Sequence, residues 1–430
     1  MKKIYLFFSI LVITSLVSCK GSPKHTNKTV LNISGIGISE EETNIINNFK
    51  ASHPDITIEI NDYSKFGSEA ITKLNLDIST GNIGDILVAG KYTDVNNLIN
   101  KDLLWNLEEA AGFEELKNSI MPCIFETVKQ DNGVYSLFPE FTINCYVSKS
   151  DILNEQMWDK ENILSTLDSF IADKKNLFGE YSKSYMEDIF ISLINDDIQN
   201  NNAKFEEDFY INLLDKFYRL CKAENFSSDI YSDDYNYRNN IIICKKEIIM
   251  NFDDFYTLEK GIFNSELSFL GIPTKLNTID YSVSTEFSIF NSCKNKKEAW
   301  EFISYYFTDE YQTNLCYEAM SFPVNQKAID RMYEMTLMHS YVNSNGENLG
   351  NKKNICVLNQ SEIDIGIPQN EDMSKYMDLL TSIHTIGRRN YSVYKIILST
   401  FDDFWNQKLT SEEAYSSIIS SLLLYLSETE

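Results

Sequence analysis

Residues Asn132 to Ser148 read NGVYSLFPEFTINCYVS, and the fold turns on how this stretch is taken. Asn132-Gly133 is the strongest short signal for a tight hairpin, because both central positions of such a turn need positive φ. Val134 to Phe138 is strand-like, and Pro139 interrupts it. A second β-rich run, Phe141 to Val147, leads towards a helical region. The stretch reads as a crossing from one lobe of a two-lobed protein to the other.

Upstream, strands and helices alternate. Val30 to Gly37 reads as a strand ending in a glycine-bearing loop. Ser39-x-x-Glu42 forms a capping box before a helix with Ile45, Ile46 and Phe49 on one face. Ile56, Ile58 and Ile60 alternate as a second strand. A helix then carries Ile71, Leu74 and Ile78 until Gly81 stops it, and Ile86-Leu87-Val88 is a short buried strand. This alternation implies a parallel sheet covered by helices, an α/β architecture. Ligands of such sheets gather at the strands' carboxyl ends, here Gly35 to Gly37 and Ala89 to Tyr92.

Downstream, helices are expected over 162–174, 187–198 and 205–221. Ile241 to Cys244 and Ile248 to Phe252 read as strands joined by a Lys245-Lys246-Glu247 turn. Ser268 to Ile272 and Val283 to Phe290 are further strands, the second entering a helix at 297–307. Ser321-Phe322-Pro323-Val324 is another β segment with an internal proline. Thr410-x-x-Glu413 caps the last helix, which carries Ala414, Ile418, Leu422 and Tyr425.

The first residues read as a targeting segment. Lys2 and Lys3 precede the apolar run Ile4 to Val17, and Leu16-Val17-Ser18-Cys19 has the form of a bacterial lipobox with lipid on the Cys19 thiol. Residues 1–18 are then the signal peptide and 19–28 a flexible tether. Two or more acyl chains hold a soluble domain on a membrane, at about 0.8 kcal/mol per buried CH₂. The folded part is expected on the extracytoplasmic face. Some 400 residues remain, which makes two domains the default.

The formal charge is −25, and removing Lys2 and Lys3 leaves 36 basic against 63 acidic residues, or −27. That balance argues against nucleic-acid partners. Seven cysteines follow Cys19 without CxxC spacing, and the four histidines form no ligand pair, so neither a metal site nor a disulfide framework is signalled. No cofactor motif and no GxSxG, P-loop or zinc signature occurs. A glycosidase pair would need two carboxylates about 5–10 Å apart, and no spacing singles one out.

Several segments follow one another in an order that resembles the family 1 extracellular solute-binding proteins, the carbohydrate-capturing lipoproteins of ABC importers. FKASHPDITIEI at 49–60 and KLNLDISTGNIGDIL at 73–87 are similar to that family's first helices and strands. GVYSLFP at 133–139, GIPT at 271–274, EAWEF at 298–302 and FPVN at 322–325 then match in order. Residues 396–428 resemble its terminal helix pair. Gly84 departs from the family, standing where members often have proline.

The resemblance implies a two-lobed periplasmic-binding-protein-like fold of class II, with crossings near Pro139, Pro273 and Pro323 that act as a hinge. Lobe 1 would comprise 29–139 and 274–322, and lobe 2 would comprise 140–273 and 323–430. It implies a monomer that is not an enzyme and that hands a saccharide to ABC permease subunits. Another polar solute, such as a peptide or polyol phosphate, and a sensor presenting its ligand to a receptor kinase are the alternatives.

Saccharides are held by aromatic faces and planar polar groups. With 25 Tyr and 26 Phe, most aromatics are core, so candidates are confined to loops beside strand ends and crossings. They are Gly37, Tyr92, Glu140, Phe141, an exposed-looking Trp158, Asp253, Asp254, Phe255, Tyr256, Tyr281 and Glu286. Arg388 and Arg389 read more simply as a solvated helix end.

Overall fold

The computed structural model describes residues 28–38, 40–90, 93–199, 205–223, 233–274, 277–342, 347–350, 354–358, 361–387 and 390–429. The lipobox, Ser39, Tyr92, Arg388 and Arg389 lie outside the described residues. No helix among the described residues is long and apolar enough to cross a membrane.

The first sheet is built from β1 (Thr29–Gly35), β2 (Ile56–Asp62) and β3 (Ile86–Ala89), all parallel with β1 in the middle. Parallel pairing requires crossovers, and the helices Glu40–Ser52 and Ala70–Ser79 supply them. All four residues of β3 are buried, as both faces of the sheet are covered. The departure at Gly84 has a steric reason. A Cβ there would sit 2.5 Å from the Asn32 carbonyl oxygen, because Asp85 must reach the Asn32 backbone N–H at 2.9 Å.

The deciding stretch folds as a hairpin, with one correction. β4 (Lys129–Gln130) pairs with β5 (Gly133–Val134), so the turn residues are Asp131 and Asn132 and Gly133 belongs to the strand. Its glycine serves both a φ of +144° and a close approach. A Cβ would meet the Asn106 side chain at 2.5 Å, and Asn106 Oδ1 accepts from the Val134 N–H at 3.1 Å.

After Pro139 the chain enters β6 (Glu140–Lys149), the central strand of the second sheet. Antiparallel to it run β7 (Cys244–Ile249), β8 (Leu267–Leu270) and β9 (Asp280–Ser282). β7 corrects a second expectation. Lys245, Lys246 and Glu247 pair in register with Val147, Tyr146 and Cys145, so they form one continuous strand and no turn.

β10 (Glu286–Ile289) returns to the first sheet, antiparallel to β3, and β11 (Phe322–Pro323) pairs with Phe141 and Glu140 of β6. The second crossing is therefore Val283 to Thr285. β9 still belongs to the second sheet, which moves the expected lobe boundary at 274 to after Ser282. Pro273 lies in the second lobe and marks no crossing. The first crossing lies beside β10 and β11, since Leu137 exchanges backbone hydrogen bonds of 3.0 and 2.8 Å with Phe287 and Glu140 pairs with Pro323.

One apolar cluster runs from the first sheet through the crossings into the second lobe, with Leu31, Phe49, Phe141, Phe287, Phe322 and Tyr376 among its members. A second fills the helices of the second lobe around Trp158, Phe190 and Phe401. The terminal helix is capped as expected, with Thr410 N–H on Glu413 at 2.9 Å and Glu413 N–H on Thr410 Oγ1 at 3.2 Å. The seven described cysteines are free thiols.

Candidate functional site

A cleft of about 610 Å³ opens against β6. Its floor is Asn144, Cys145 and Tyr146, where the exposed Asn144 stands between buried Ile143 and Cys145. One wall is the helix Ser182–Gln199, which sends in Ser192, Asn195, Asp196 and Gln199 at i, i+3, i+4 and i+7, the spacing of one helix face. Lys246 of β7 lies beside them and is ion-paired to Asp188.

The other wall is Gly271, Ile272, Thr274 and Thr278 with β9 and the segment 384–387. That segment extends the sheet edge, since Tyr281 N–H donates to Thr385 O and Gly387 N–H donates to Tyr281 O, both at 2.9 Å. Thr385 Oγ1 donates to Asp280 at 2.5 Å. Asn96 and Thr127 close the cleft from the first-lobe side. Side-chain amides, hydroxyls and two carboxylates make up most of this lining. The arrangement can accept and donate many hydrogen bonds to a neutral, polar ligand.

Of the residues picked from the sequence, Tyr281 lines the cleft. It is fully buried, its hydroxyl donates to Leu380 O at 2.7 Å, and burial pushes its phenol far above the usual range. Trp158 corrects the expectation of an exposed indole. It has no exposed surface, and its N–H donates to Gly271 O at 3.0 Å behind the cleft wall.

Phe141 and Phe255 correct the expectation of open ring faces. Phe141 stacks on Phe322 at 5.4 Å, and Phe255 stacks on Tyr376 at 5.1 Å. Tyr256 is 5% exposed and donates to Ile365 O at 2.9 Å. Glu140 accepts from Ser321, and buried Glu286 accepts from Ser136 at 2.5 Å, both at the crossings. Gly37 is exposed with φ +71°, and its N–H donates to Asp62 at 2.9 Å.

Asp253 and Asp254 open the helix Phe252–Tyr256. Asp253 accepts from the Tyr341 hydroxyl at 2.8 and 2.7 Å. Burial lifts the Asp254 carboxyl from 3.8 to about 6, against the backbone N–H of Met250 at 2.7 Å, which lowers it. The folded protein thus holds this proton to higher pH than the unfolded chain, and stability falls as pH rises between those values. Asp254→Asn is expected to stabilise the protein above pH 6 by about 1–2 kcal/mol and to bring no such gain at pH 3.5. Urea unfolding at the two pH values reads the difference, and an equal change at both would contradict it.

Residues 44–336, well over half of the chain, match the family described as bacterial extracellular solute-binding protein. The chain belongs to that family. This solute-binding protein is therefore extracytoplasmic, and it shares its fold with solved structures of low identity. One is the binding protein MsmE of Bacillus subtilis subsp. subtilis strain 168 in an open conformation, with a TM-score of 0.60 at 11% identity, covering 94% of this chain and 99% of that one. Another is the sugar-binding protein MalE of Xanthomonas citri, with a TM-score of 0.53 at 10% identity over 94% and 100% of the two chains. A third is the galacto-N-biose/lacto-N-biose I-binding protein of the Bifidobacterium longum ABC transporter in complex with lacto-N-biose. Its TM-score is 0.51 at 14% identity, over 94% and 98%. No curated protein sequence matches this one.

The cleft residues missed from sequence are Asn144, Asn195, Asp196, Lys246, Asp280 and Thr385. Asn144 had a readable signal, an amide between Ile143 and Cys145 in a strand that is otherwise apolar on that stretch. The others depend on which helix and which strand end meet β6, which is a tertiary fact.

Proposed function

We propose that this solute-binding protein captures a saccharide and delivers it to an ABC permease, tethered to the membrane by lipid on Cys19. The observation that carries this reading is the cleft lining, in which Asn96, Asn144, Asn195, Gln199, Asp196 and Asp280 converge on one cavity. Planar amides and carboxylates match vicinal hydroxyls in pairs, and each neutral bond is worth about 0.5–1.5 kcal/mol. The relatives crystallised as sugar-binding proteins support the same reading. Binding would favour a closed state through contacts from both lobes.

A thermal-shift panel of mono- and oligosaccharides tests the proposal, since a ligand of the native state raises apparent stability. Silence across the saccharides, with a response to peptides, would overturn it. With the saccharide giving the largest shift, Asn144→Ala is expected to weaken binding by about five- to tenfold. The exposed side chain should leave the melting temperature of the free protein unchanged, and calorimetric titration checks both.

A further inference from the structure

Gln312, on the helix Asp309–Glu318, is a glutamine with no exposed surface and lies over two of the three crossings. Its Nε2 donates to Pro139 O and to Tyr306 O, both at 2.9 Å. Its Oε1 accepts from the N–H groups of Val324 and Asn325, again both at 2.9 Å. A side-chain amide offers two N–H donors and one oxygen with two lone pairs, so this one is saturated by backbone. The first crossing ends at Pro139 and the third runs through Val324, so one side chain bridges them. The two segments are also joined directly, Val324 N–H reaching Pro139 O at 3.3 Å.

A lobe rotation that turned residues 139–140 against 323–325 would break buried hydrogen bonds, each costing about 1–3 kcal/mol when its partner stays desolvated. Val283 to Thr285, by contrast, lie between β9 and β10 and outside either ladder. We infer that Gln312 is a positioning residue for solute capture. Its amide locks the first and third crossings into one pivot, directs rotation to the second crossing, and sets the ratio of open to closed ligand-free protein. The inference rests on the two-lobed capture reading. Apparent affinity scales with the fraction of binding-competent protein, so a residue remote from the cleft would tune it.

The test needs no ligand, so it stands or falls apart from the saccharide assignment. Spin labels on Leu76→Cys and Leu424→Cys, exposed positions on helices of opposite lobes, report the interlobe distance. Gln312→Leu removes all four bonds, and Gln312→Glu keeps the acceptor oxygens while losing the two donors. Both are expected to shift the open-to-closed ratio by about tenfold or more. A purely structural glutamine would lower the unfolding midpoint and leave the ratio in place, and an unchanged ratio in both variants overturns the inference. Should neither variant fold, amide exchange of the unsubstituted protein decides. Val324 and Asn325 are expected to exchange at least about a hundredfold more slowly than Ser284, and comparable rates would overturn the pivot.

Discussion

Trp158→Ala is expected to lower the unfolding free energy by about 3–5 kcal/mol, a large fraction of the roughly 5–15 kcal/mol that holds a typical protein folded. The indole is sealed between Tyr146 at 5.9 Å and Phe178 at 6.2 Å, so alanine leaves a cavity that rigid strands cannot refill. It also leaves Gly271 O without its donor. The effect should reach the cleft, because Gly271 is gripped from both sides. Its N–H donates to Asn277 Oδ1 at 3.0 Å, and its carbonyl accepts the Trp158 indole N–H. Trp158→Phe separates the two losses, retaining most of the buried area while dropping the hydrogen bond for about 1–3 kcal/mol. Chemical denaturation of the three proteins checks the ranking, and a phenylalanine variant as weak as the alanine one would contradict it.

Asp197→Ala is expected to cost a similar 3–5 kcal/mol, through charge and not through volume. Asp197 is 4% exposed. It accepts from Lys160 at 2.9 Å and from the Tyr210 hydroxyl at 2.6 Å. Removing it leaves a largely buried ammonium over the rings of Phe209 and Tyr210, 5.3 and 5.8 Å away, with the exposed Glu206 carboxylate at 3.5 Å in place of a buried partner. Burial and the facing carboxylate hold the Tyr210 phenol well above its usual range, so it stays the neutral donor of that bond. Because the pair is shielded, the loss should persist in 1 M salt, whereas a surface pair would fade. Asp197 follows Asn195 and Asp196 on the same helix, so its removal should also loosen the cleft wall. Unfolding at low and high salt distinguishes the two cases.

The first sheet was readable because its evidence is local. The alternation of Ile56, Ile58 and Ile60, the Leu74 and Ile78 spacing and the apolar β3 each follow from period and burial. The proline-marked segments at Pro139 and Pro323 also pair as crossings, β11 on the start of β6. Pro273 misled because a proline also suits an irregular segment within one lobe, here between the cleft-lining Ile272 and Thr274. Lys245-Lys246-Glu247 misled because a charged triplet reads as a turn until its partners are known. Here Lys246 finds Asp188 and Lys245 finds Glu247, so the charges are matched within a strand. The aromatic candidates fared differently for a related reason. Phe141 stands beside a crossing and Phe255 follows a strand end, but in a chain this rich in aromatics such places are packing sites as well. Asn144, a polar residue between buried Ile143 and Cys145, lines the cleft and carried a local signal of its own.

β10 completes the first sheet from the far side of the second lobe. Its partner β3 precedes it by about 200 residues, and bringing such distant segments together is an entropic delay before any contact rewards it. The first lobe therefore cannot close on itself while the chain is still short, however early its own strands emerge. For a protein whose folded form lies outside the cytoplasmic membrane, that delay keeps the nascent chain open for longer. The same discontinuity that makes a hinge in the finished molecule acts, during synthesis, as a timer on folding.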